Sequence, residues 1–93
     1  MNRDTMIAEI EEVIDILKAE IIKDDSFIKV YDSLLATYEN AQNKIMKNPD
    51  YKCEDLVGMT NKYVTKVKEE NASKDLVEAL WKVESLIKVM YRQ

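Results

Sequence analysis

Histidine is absent from this chain and cysteine occurs once, at Cys53. The groups left to do chemistry are eighteen carboxylates, fourteen cationic side chains and a set of hydroxyls. Without histidine there is no Ser-His-Asp triad, no His-ligated zinc and no imidazole proton shuttle. A lone cysteine excludes an intramolecular disulfide and a thiolate cluster, and it fits a reducing compartment. Di-metal centres in helical bundles use inward-facing Glu-x-x-His pairs. Here Glu9, Glu11, Glu12, Glu20, Glu69 and Glu70 all fall on polar helix positions. General acid–base work needs a carboxylate or lysine set among apolar residues, where burial tunes its pKa. No apolar stripe of this sequence contains one. The one glycine, Gly58, cannot form a phosphate-cradling loop. The chain is expected to have no catalytic residue, no cofactor and no metal ligand.

Cys53 admits two readings. It lies on an apolar stripe, where a thiol behaves as a small buried hydrophobe. It also lies near a predicted helix start, where a thiolate would be stabilised.

The elements that position these groups read as four helices. Ile7, Ile10, Ile14, Leu17 and Ile21 recur at spacings of 3 and 4, the mark of one apolar helix face over about 5–23. Asp4 or Thr5 is placed to cap its start, and Asp24-Asp25-Ser26 supplies a stop and a new cap. The second helix, 26–47, carries Phe27, Tyr31, Leu34, Tyr38, Ala41 and Ile45 at the same rhythm, with Ile28, Leu35 and Met46 widening the face. Asn48-Pro49-Asp50 ends it. The third helix is expected over 50–69, with Cys53, Leu56, Thr60, Tyr63 and Val67 inside, starting between Pro49 and Cys53. Gly58 and four β-branched residues make it the weakest helix former, each costing a few tenths to ~1 kcal/mol against alanine. Gly58 is then either a tolerated weak spot or a hinge. Ser73 is expected to cap the fourth helix, 74–91, with Leu76, Leu80, Val83, Ile87 and Met90 inside.

Short connections force antiparallel neighbours. The expected architecture is an all-α, up-down four-helix bundle spanning 1–93 as one domain, with a three-helix bundle and an irregular third segment as the alternative. No apolar run is long enough for a membrane span or a signal-peptide core. Together with the lone cysteine this places the protein, as an expectation, in the cytoplasm.

Charge narrows the partner. Residues 1–25 hold eight acids against three bases, while the other stretches stay within one charge of neutral, so one segment carries the whole net charge of −4. Direct nucleic-acid binding is not expected, because it depends on a basic patch that releases counterions. Arg3 and Arg92 are the only arginines and lie at the chain ends. Small helical mutases such as chorismate mutases have a similar length, but their sites need several cations around a dianion, which this chain lacks.

Apolar residues off the stripes mark candidate contacts. Ile16 projects between Glu9, Glu12 and Glu20, and Trp81 is displaced from Leu76 and Leu80 with Val77 one turn before it. Tryptophan is enriched at interface centres, though Trp81 at a core edge is equally compatible with the spacing. The expected contact residues are therefore Glu9, Glu12, Ile16, Glu20, Val77 and Trp81, meeting a protein with a basic surface. In size, helix count and lack of catalytic groups the chain is similar to small four-helix bacteriocin immunity proteins. That resemblance implies an inhibitor, immunity or antitoxin-like binder. The alternative is a homo-oligomeric bundle joined through the apolar arcs of helices two and four, with Val77, Trp81 and Val89 at a two-fold contact.

Overall fold

The computed structural model describes residues 3–91. Four α-helices account for most of them: α1 (Arg3–Lys23), α2 (Ile28–Lys47), α3 (Met59–Val67) and α4 (Lys74–Met90). Single 3-10 turns at Glu54–Leu56 and Glu69–Asn71 flank α3. Each helix packs on its two neighbours in the cyclic order α1, α2, α3, α4, with α1 at the centre of the largest contacts. The antiparallel sense is visible in side-chain detail. Arg3, at the start of α1, donates to the carbonyls of Ile45 (2.8 Å) and Met46 (3.0 Å) at the end of α2. Those carbonyls lack intrahelical partners, so Arg3 completes the end of α2 from a neighbouring helix. Arg92 lies outside the described residues.

The α2 stripe is buried as its spacing predicts: Tyr31, Leu34, Tyr38, Ala41 and Ile45 face the core. In α4, Leu76, Leu80, Val83 and Ile87 do the same, joined by Ala79 and Leu86. Ser73 caps α4, its hydroxyl accepting from the Leu76 N–H at 3.3 Å. In α1 the buried set is Met6, Ile10, Val13, Ile14 and Leu17, whereas Ile7 and Ile21 are only half-buried. The face is rotated from the spacing-based expectation because α1 packs on both α2 and α4. Asp4 and Thr5 lie within its first turn rather than before it.

The links also differ from expectation. Ser26 does not cap α2; Asp24 Oδ1 instead accepts from the Ser26 N–H (2.9 Å) and hydroxyl (2.7 Å), a turn that ends the α1–α2 corner. These bonds hold the Asp24 carboxyl below its usual range. Asn48 likewise closes a turn on Asp50 (3.0 Å) rather than starting a helix.

The third segment is corrected most. Its α-helix runs over Met59–Val67, about 14 Å at 1.5 Å per residue, instead of 50–69. Gly58 has φ +84°, a left-handed conformation that ends any helix arriving from its N-terminal side. Gly58 is therefore the start of α3 and not a defect within it. Residues 48–58 cross the bundle end in irregular backbone, yet Tyr51, Cys53 and Leu56 are buried there.

Candidate functional site

Trp81 and Val89 are the largest apolar surfaces that α4 leaves uncovered, at 57% and 62% exposure. They share one outer stripe of the helix, two turns apart, because the opposite face is occupied by Leu80, Val83 and Ile87. A groove of about 350 Å³ runs beside them between α4 and α1. Lys82, Ser85, Leu86 and Val89 line it from α4 with Trp81, while Thr5 and Glu9 line it from α1. The Lys88 ammonium sits 5.7 Å from the Trp81 ring centroid, a cation–π contact.

Glu9 and Glu12 bring the acidity of α1 to this groove. Glu12 pairs with Lys82 of α4 at 3.8 Å, with both side chains about half exposed. Such a surface pair contributes little to stability, roughly 0–1 kcal/mol. One carboxylate oxygen of Glu9, Oε2, is buried without a hydrogen-bond partner. The groove thus combines an aromatic plane, an aliphatic floor and a rim of mixed charge, Glu9 from α1 and Lys82 from α4.

Glu9 and Trp81 are brought to one groove by the antiparallel pairing of α1 with α4, and Glu12 pairs with Lys82 beside them. The other three expected residues are not. Ile16 is half-buried and packs against the core instead of standing out among glutamates. Glu20 is half-buried near the opposite end of α1, where its charge helps to push up the pKa of Tyr31. Val77 packs on the core and borders a different depression, with Val64 and Ala72 between α3 and α4. Thr5, Lys82 and Ser85 belong to the groove and have no sequence signal, because small and charged residues on an outer helix face are unremarkable alone.

Elsewhere the groups that could react are engaged or buried. Cys53 is fully buried, and its thiol is pushed up to about 11, first by burial and then by the Glu54 charge. A thiol in that state is not a nucleophile at neutral pH. The Tyr63 hydroxyl accepts from the Ser73 N–H (2.9 Å) and lies 3.0 Å from the Tyr31 hydroxyl, tying α2 and α3 to the cap of α4. Burial raises the Tyr31 pKa, as does its Tyr63 contact. Tyr51 donates to Asp55 (3.0 Å), which also pairs with Lys44 at 2.7 Å. Among the described residues no group of three or more Cys, Asp and Glu side chains is placed to hold a metal ion. No helix among them is long and apolar enough to cross a membrane.

No protein-family model, no curated protein and no solved structure matches the chain.

Proposed function

We propose that this chain is a non-enzymatic protein-binding module of the inhibitor, immunity or antitoxin type. Its α1–α4 face engages a basic surface on a protein partner. The observation that supports this reading is the exposure of Trp81 and Val89 in a groove that Glu9 of α1 also lines. An aromatic anchor next to a charged rim is the arrangement in which binding energy concentrates at the centre while charge speeds association. A partner lysine or arginine would meet Glu9, and apolar side chains would pack on Trp81 and on the Leu86–Val89 floor.

Self-association through the same face is the competing reading. A two-fold contact brings identical patches together, and Lys82 and Lys88 on this face would offset the repulsion between the two sets of α1 acids.

The test is affinity capture from extracts of the source organism, followed by titration of the purified partner. Trp81→Ala is expected to weaken binding by about thirty-fold, the measure of an interface hot spot. Glu9→Lys with Glu12→Lys is expected to slow association and flatten its salt dependence, whereas Glu20→Lys, at the far end of α1, leaves both unchanged. Binding that survives the first two changes would sink the proposal. A dimer in sedimentation that dissociates on Trp81→Ala would establish the competing reading.

A further inference from the structure

Opposite the α1–α4 groove, α2 and α3 enclose a second cavity of about 160 Å³. Its floor is apolar: Val30 and Leu34 from α2, Met59 and Tyr63 from α3. Lys29, Lys62 and Lys66 form its rim, and no carboxylate lines it. Lys62 and Lys66 stand one turn apart on α3 and Lys29 lies across from them on α2, so three lysines line one opening. None of the three is in an ion pair among the described residues, in a chain whose net charge is negative. Grouping like charges around an apolar hollow without counter-charges costs electrostatic energy, and an anion at the mouth removes that cost.

We propose that this cavity binds a small amphipathic anion, a medium-chain carboxylate in kind, with its apolar tail against the half-buried Val30 and Met59 and its head between Lys29, Lys62 and Lys66. Size and surroundings select this class. The hollow is smaller than the roughly 300–1,000 Å³ of drug-sized sites, so it takes one short chain or one ring. A protein partner would need further anchors around it, but the exposed large apolar residues, Ile22, Met46, Val57, Trp81 and Val89, all lie outside the lining. Lysine is also depleted at the centres of protein interfaces. As a compact, strongly hydrated point charge, it suits a carboxylate at a wet rim.

The proposal stands apart from the function assigned to the α1–α4 face, since the two sites share no lining residue. It is tested by nitrogen-15 NMR titration of the whole chain with sodium octanoate, 1-octanol and sodium acetate. A parallel arm uses vesicles containing phosphatidylglycerol. Saturable octanoate shifts confined to residues 29–34 and 59–66 are expected. Octanol and acetate, each lacking one half of the ligand, should bind at least about five-fold more weakly. Lys62→Gln with Lys66→Gln should weaken octanoate by about five-fold, the effect of losing two exposed charge contacts, with helicity unchanged by circular dichroism. Overturning results are an absence of saturable shifts, shifts centred on Trp81, equal affinity for octanol, unaltered affinity in the double variant, or binding to vesicles alone.

Discussion

The carboxylate of Glu84, in the middle of α4, caps the start of α3 through Thr60 and Gly58. It accepts from the Gly58 N–H at 2.6 Å and the Thr60 N–H at 2.9 Å, and the Thr60 hydroxyl donates to it as well. No residue next to α3 in sequence supplies that cap. A nine-residue helix is too short to persist alone in water. The cap and the buried Tyr63 and Val67 are what hold α3 on the bundle. Glu84→Ala is expected to destabilise the protein by about 1–2 kcal/mol. Hydrogen exchange should localise the loss, with amides 58–67 exchanging faster while those of α1 and α4 change less.

Gly58→Ala isolates the backbone part of the same junction. At φ +84° an alanine is strained, and nothing lies within 4 Å of the Cβ it would add, so side-chain clash contributes nothing. A loss of about 1 kcal/mol is expected from the left-handed conformation alone. Urea denaturation reads it, and an unchanged midpoint would contradict the assigned φ.

Two buried tyrosines should respond in opposite directions to loss of a hydroxyl. Tyr63→Phe strips partners from the Ser73 N–H and the Tyr31 hydroxyl, and a loss of about 1–3 kcal/mol is expected. The Tyr38 hydroxyl is buried with no partner among the described residues, and burial raises its pKa. Tyr38→Phe removes an unsatisfied group while keeping the ring, so denaturation midpoints should stay equal or rise.

Asp55 introduces a dependence on pH. Its hydrogen bond from Lys44, then that from Tyr51, holds the carboxyl below the ordinary value, so the folded state binds its proton more weakly than the unfolded chain. The stability this contributes is complete above the unfolded value of ~3.9 and is lost as pH falls through the lowered folded value. Asp55→Asn should therefore be less stable than the parent at pH 7, and the gap should close under acid conditions. Denaturation curves at the two pH values test the sign; the exposure of the pair keeps the size small.

Cys53 should label only on opening. Because the thiol is fully buried and its pKa is raised to about 11, modification by a disulfide reagent is expected to follow the unfolding equilibrium. Rapid labelling under native conditions would contradict its burial.

Periodicity revealed which side chains lie inside more faithfully than how the backbone carries them. In α2 the expected stripe and the buried set coincide from Tyr31 to Ile45. In the third segment Cys53, Leu56, Tyr63 and Val67 are buried as their spacing suggests, although 48–58 is not an α-helix. Hydrophobic burial rewards an apolar side chain wherever the chain can deliver it, and helical backbone is one route among several. The third segment takes another route because Gly58 and Cys53 both adopt positive φ, which a continuous helix cannot contain.

The candidate site divides along the same line. The acidity of residues 1–25, the lack of histidine and the oddly placed Trp81 are properties of the sequence by itself, and so is the Ser73 cap, whose bond spans only three residues. Tertiary structure alone decided that Glu9 shares a groove with Trp81 and that Glu12 pairs with the neighbouring Lys82, while Ile16 and Val77 turn to the core and Glu20 lies at the other end. It also decided that Glu84 caps a helix 24 residues away in the chain and that three lysines from two helices share one apolar hollow. Local pattern fixes a residue's angle about its own helix. Which neighbour that angle meets depends on how α1 divides its surface between α2 and α4, and that follows only from packing all four helices at once.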